Sequence, residues 1–189
     1  VISLVNAALE SLDKYAEHLT SDSDKALNAQ YQAEVRFFRA LSYYYLVNLW
    51  NDVPILVDNQ QLDIFRSPKA DVIKYLYQDL DYCIANLPAI RPNESAHPGA
   101  VTKYTAEALK AKMKMHENAW EDVLSLTNDI IDSGKFELYP DFYNLFKIPG
   151  KLCNESLLEY QFTDFGNGSG DIVQSDNWFA FMGPRGEAP

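Results

Sequence analysis

Apolar residues recur at helical spacing through roughly the first 135 positions, and the pattern changes after them. Ile2, Val5, Leu9 and Leu12 mark one stripe over residues 1–19, and the polar stretch 20–24 reads as a loop. Residues 29–50 carry the strongest helical pattern. Val35, Phe38, Leu41, Tyr45 and Leu49 cover one side, and Phe37, Ala40, Tyr44 and Val47 another. A helix apolar nearly all round is expected to be buried on most sides, with Trp50 packed at its end. Asn51-Asp52-Val53-Pro54 closes it, because proline cannot continue the hydrogen-bond ladder.

Ser67-Pro68 predicts the next helix start, with serine as cap and proline at the first helical position. Val72, Leu76, Leu80, Cys83 and Leu87 follow at helical spacing until Pro88, which makes Cys83 a core thiol. Residues 88–100 hold three prolines and a glycine and read as a loop. A third long helix starts near Thr102 and carries Ala106, Leu109 and Met113 inward. Asn118 then reads as an N-cap, with Glu121 as its capping-box partner. The fourth helix places Trp120, Val123, Leu124, Thr127, Ile130 and Ile131 on its apolar stripe, with Gly134 at its C-terminal cap. The join at Asn118 is so short that these two helices must form an antiparallel hairpin. The fold class expected is mostly α: tetratricopeptide-like antiparallel helix pairs with an irregular, short-strand C-terminal part. No clean 34-residue repeat appears, so this rests on the pairing of helices.

Two regions follow, 1–135 as helical scaffold and 136–189 as an irregular segment of the same, incomplete domain. In the second, residues 139–146 predict a turn and a short helical piece. Leu158, Tyr160 and Phe162 alternate with Glu159 and Gln161, a strand pattern. Residues 166–171 form a glycine-rich polar loop. Both ends of the chain read as cut.

Charge narrows the function. With 27 acidic against 16 basic residues the net charge is −11, which repels phosphate backbones and argues against nucleic acid as a partner. A neutral sugar meets no such barrier. No run of 18 apolar residues exists to span a bilayer. Catalytic patterns are missing: His18, His97 and His116 are scattered, no His-Glu-x-x-His, Gly-x-Ser-x-Gly or dinucleotide motif occurs, and no carboxylate pair is picked out. Glu34 reads as a partner within the scaffold. The expectation is a binding protein without cofactor, metal or catalysis. A sugar presents an apolar C–H face and a rim of hydroxyls, so its binder needs an aromatic plate beside amides or carboxylates. Asp176, Asn177, Trp178 and Phe179, with Asn167 in the preceding loop, supply those types and are the candidate ligand residues. The alternative is that Trp178 and Phe179 pack beneath a loop.

Three segments together resemble the SusD/RagB family. Glu34-Val-Arg36-Phe37-Phe-Arg39-Ala40, running on to Asn51-Asp52-Val53-Pro54, is similar to that family's Glu-x-Arg-Phe-x-Arg-Ala helix and its Gly-Asp-Val-Pro turn. Asn51 stands where the glycine is usual and tolerates a left-handed backbone better than most residues. Arg66-Ser67-Pro68, leading to Tyr77-Gln-Asp79-Leu80-Asp81, is the second segment. The third runs from Thr102 through Trp120 and Ile131-Asp-Ser-Gly-Lys-Phe-Glu-Leu-Tyr139 to Asn154-Glu155-Ser-Leu-Leu-Glu159. The resemblance spans residues 28–165. It implies capture of oligosaccharide or polysaccharide at the cell surface, hand-off to a SusC-like TonB-dependent transporter, and an outer-membrane lipid anchor on an N-terminal cysteine that this chain lacks. A tetratricopeptide-like protein–protein scaffold is the alternative, and a hydrolase a more distant third.

Overall fold

Polar caps and proline stops divide the chain into packed helices. The computed structural model describes residues 1–161. Helix α1 spans Ile2–Ala16, α2 Asp22–Trp50, α3 Lys69–Asn86, α4 Lys103–His116, α5 Trp120–Asp132 and the short α6 Phe142–Leu145. Between α2 and α3, strand β1 (Val53–Pro54) pairs antiparallel with β2 (Arg66–Ser67), Val53 opposite Ser67. Single 3₁₀ turns occupy Pro92–Glu94 and Ile148–Gly150. Each long helix packs against the next in sequence, α1 on α2, α2 on α3, α3 on α4 and α4 on α5. This is the expected stack of antiparallel helix pairs.

Helix α2 begins earlier than its apolar pattern suggested. Ser21 accepts the Asp24 amide at 3.1 Å, and Asp22 and Asp24 sit in the positively polarised first turn. Much of the 20–24 stretch is therefore helix start. The inward side of α2 is Ala33, Phe37, Ala40, Tyr43 and Val47. Its other apolar side is not buried: Phe38, Tyr45, Leu49 and Trp50 are exposed. The expectation of burial on most sides fails because α1, α3 and α4 cover one arc of the helix and, among the described residues, nothing covers the opposite arc.

Helix α3 supplies Val72, Leu76, Leu80 and Cys83 to the core, and α4 supplies Ala106, Leu109 and Met113. Cys83 is buried and free, its thiol donating to the Ala33 carbonyl at 3.1 Å, and burial pushes its pKa up. The start of α3 differs from expectation. Pro68 is the cap residue and Ser67 makes no side-chain cap, since it is held in β2 opposite Val53. The cap comes from a distance instead, as the Lys69 amide donates to Asp52 Oδ1 at 2.9 Å. The turn that closes α2 thus opens α3. Its Asn51 has φ +60°, where the family motif carries glycine.

At α4, Thr102 and Thr105 cap reciprocally. Asn118 is not an N-cap: it takes φ +58°, and Ala119 precedes α5 without a side-chain cap. A three-residue reversal needs one left-handed residue, and asparagine fills that role. Gly134, at φ +64°, terminates α5 as expected, its amide donating to the Ile131 carbonyl. His18 lies in the turn after α1, not on a helix.

Residues Val1–Leu158 form one unit. The predicted strand at Leu158 and Tyr160 is absent: residues 158–161 make no ladder, and alternation alone cannot build a strand without a partner edge. Phe162 lies outside the described residues.

Candidate functional site

Two arginines of α2 and one aspartate of α3 organise the scaffold. Arg39 holds Asp79 through two parallel bonds, Nε to Oδ2 at 2.7 Å and Nη2 to Oδ1 at 2.8 Å, with the two side chains only 5% and 1% exposed. Arg36 Nη1 adds a third bond to Asp79 Oδ1 at 3.1 Å. Arg39 Nη1 also donates to Asn6 Oδ1 at 2.9 Å, which draws in α1. The Asn6 amide in turn donates to the Leu56 carbonyl at 3.0 Å, and the Leu56 amide to the Tyr43 hydroxyl at 2.8 Å. One charge cluster therefore fastens three helices and the chain after β1. A paired guanidinium and carboxylate can be buried because each satisfies the other. Glu34 accepts from Gln30 at 3.0 Å, the within-scaffold role expected of it.

Beside this cluster lies a cleft of about 510 Å³ between α1, α2, Tyr75 of α3 and residues 57–60. Its lining is mixed, with Asp13, Arg36, Asn59 and Gln60 among the polar groups. A second hollow, of about 310 Å³, is apolar and is bounded by Ile2, Leu46, Trp50 and Ile64. Trp50 was expected in the core but is 62% exposed at its rim, because α2 ends just before the chain turns away at Asn51. Trp120 was expected in the core too and is 59% exposed. It begins α5 on the exposed edge that Leu124 and Ile131 share, so helical periodicity identified its stripe but not which edge of that stripe is covered.

Carboxylates elsewhere serve the scaffold. Glu107 is buried on α4, where desolvation pushes its pKa up against the pull of Lys103 Nζ at 3.3 Å. Glu107 Oε2 has no partner among the described residues. Tyr77 donates to Glu117, and burial together with that bond raises the phenol pKa. Among the described residues no three His, Cys, Asp or Glu side chains converge as a metal site, and no helix is long and apolar enough to cross a membrane. The candidate ligand residues Asn167, Asp176, Asn177, Trp178 and Phe179 lie outside the described residues. The cleft was not foreseen in the sequence, since its walls come from four separated stretches.

This architecture is a tetratricopeptide-like stack of helix pairs, pinned by a buried ion cluster and carrying clefts along one seam. By sequence and fold together, the chain is similar to SusD-like proteins. It is 26% identical over 181 residues to a SusD-like protein of Bacteroides ovatus, covering 88% of this chain and 32% of that protein. It superposes on surface glycan-binding protein A of Bacteroides uniformis with a TM-score of 0.72 at 25% identity, covering 83% of this chain and 35% of that one. A laminarin-binding SusD-like protein has the same fold, with a TM-score of 0.72 at 22% identity over 83% of this chain and 34% of that one. No protein-family model matches the chain. The chain spans about a third of the length of these relatives. The resemblance drawn from the three motif segments therefore holds, and the first two segments meet physically in the Arg36–Arg39–Asp79 cluster.

Proposed function

We propose that this chain is the scaffold part of a cell-surface protein that binds oligosaccharide or polysaccharide without cleaving it and passes it to a SusC-like TonB-dependent transporter in the outer membrane. The observation that carries the proposal is similarity in both sequence and fold to SusD-like proteins, one of them named for surface glycan binding. The acidic balance of the chain favours an uncharged ligand over a polyanion. The lipid anchor and outer-membrane location belong to the same proposal and rest on the family resemblance alone.

In this reading Trp178 and Phe179 form the aromatic plate, and Asp176, Asn177 and Asn167 bind the hydroxyl rim. The test is calorimetric titration of the protein with laminarin, xyloglucan and starch oligosaccharides. One of them binds, and Trp178→Ala abolishes that binding while the melting temperature changes little. A large fall in melting temperature with unchanged affinity rejects the role given to Trp178. Release of shorter sugars from a bound oligosaccharide rejects the non-enzymatic reading.

The exposed apolar side of α2 favours a second reading, a helical scaffold that docks another protein. A glycan array on which no sugar binds, combined with capture of the transporter, selects it.

A further inference from the structure

The cleft beside the ion cluster has features of a ligand site that the scaffold does not need for itself. Its walls are fixed from several directions. Asn59 donates to the Ser3 carbonyl at 2.8 Å, Asn6 to the Leu56 carbonyl at 3.0 Å, and the Gln60 backbone N–H to Asp58 Oδ1 at 2.7 Å. Arg39, at its floor, is locked on Asp79. Hydrogen-bonding groups nevertheless remain. Asp13 uses Oδ1 to accept from Gln32 at 3.0 Å and keeps Oδ2. Gln60 and Tyr75 line the cleft, and neither the Gln60 side-chain amide nor the Tyr75 hydroxyl has a hydrogen-bond partner among the described residues. Arg36 commits Nη1 to Asp79 while its side chain stays 26% exposed.

These groups specify a ligand class. The wall carries both donors and acceptors, which suits vicinal hydroxyls, each of which both donates and accepts. A volume of about 510 Å³ lies within the usual range for small-ligand sites. Glu10 is paired with Lys14 at 2.7 Å, and the guanidiniums of Arg36 and Arg39 share the single Asp79 carboxylate, so Asp13 and Asp58 leave the cleft with one uncompensated negative charge. That charge disfavours a uronate or sulfated sugar and does not oppose a neutral one.

We propose that the cleft between α1, α2 and residues 57–60 is a second sugar site, taking one or two neutral pyranose units through Asp13, Arg36, Gln60 and Tyr75. This deepens the proposed glycan-binding function and rests on it. None of its residues belongs to 176–179, so a long glycan that meets both sets makes two contacts with the chain. Two weak contacts on one polymer raise the effective affinity without tightening either one, which suits a protein that must later release its cargo.

The test is nuclear magnetic resonance titration of the ¹⁵N-labelled protein with three neutral trisaccharides, laminaritriose, cellotriose and maltotriose, and with a trigalacturonate. At least one neutral trisaccharide shifts the Asn59 and Gln60 backbone amides in a saturable way, and the trigalacturonate does not. Gln60→Ala, at an exposed position where folding is not at stake, weakens that response about tenfold, as Asp13→Asn does, while responses at the Trp178 indole persist. Shifts confined to the Trp178 indole overturn the second site and leave the glycan-binding function standing. Shifts at neither place, with every sugar, overturn both. A stronger response to trigalacturonate than to the neutral sugars overturns the ligand class.

Discussion

The α2–α3 pair and helix α5 are built from similar amino acids and end in opposite states. In α2 and α3, Phe37, Val47, Leu76 and Leu80 are sealed completely, and even the charges are buried because they are paired. In α5 only Ile130 is buried, while Trp120, Leu124 and Ile131 stand in solvent along one edge. The α5 pattern is the more sharply amphipathic in sequence, yet it has one neighbour among the long helices, α4, where α2 packs against both α1 and α3. Apolar spacing therefore identifies a helix that can be buried, and the number of neighbours decides how much of it is.

This contrast can be broken at several points. The largest effect is expected from Arg39→Met, which strips Asp79 of its bidentate partner and leaves it buried on the single bond from Arg36. Urea denaturation should show a loss of about 3–5 kcal/mol. Adding Asp79→Leu should restore much of it, since it removes the under-paired buried carboxylate while Arg36, 26% exposed, still reaches water. Leu76→Ala should cost about 2–5 kcal/mol, whereas Leu124→Ala on the outer edge of α5 should change stability by no more than about 0.5 kcal/mol. Equal losses at these two sites would show that α5 is covered by more of the protein than the described residues contain. Asp52→Ala should cost about 1 kcal/mol by uncapping α3, and amide exchange should accelerate at the start of α3.

Glu107 gives the subtlest test. Its folded pKa is raised by desolvation, so the folded state holds the proton more tightly than the unfolded chain. The resulting stability is present at acidic pH and is lost as pH rises from the ordinary carboxylate value of 4.5 through the raised folded value. Glu107→Gln removes that dependence. The melting temperature of the variant, relative to the parent protein, should climb as pH rises from 4.5. A flat difference would mean that Lys103 compensates the burial fully.

Much of this architecture was legible because helical spacing is a local signal. Val72, Leu76, Leu80 and Cys83 announced the inward face of α3, and Gly134 announced the end of α5. What was not legible depends on distant partners. Asp52 caps a helix 17 positions further on, which no capping motif describes. Asn118 fits an N-cap by type, and only the geometry of the reversal makes it a left-handed residue. Tryptophans at 50 and 120 belong to apolar stripes whose outer edges stay exposed among the described residues. The proposed second site unites positions 13, 36, 60 and 75, which share no local pattern. The sugar-binding residues read from the chain, 176–179, lie outside the described residues, so only the titrations above can judge them.

The joint where Asp52 caps α3 and β1 meets β2 bears on how such a protein diversifies. Residues 57–65 lie beyond Leu56, which Tyr43 and Asn6 hold, and return through that closed neck, so lengthening or replacing them need not disturb α2 or α3. Residues 57–60 of the same excursion form one wall of the polar cleft. Selection can therefore treat this stretch as an exchangeable cassette, altering what the cleft accepts while the helical chassis beneath it is inherited intact.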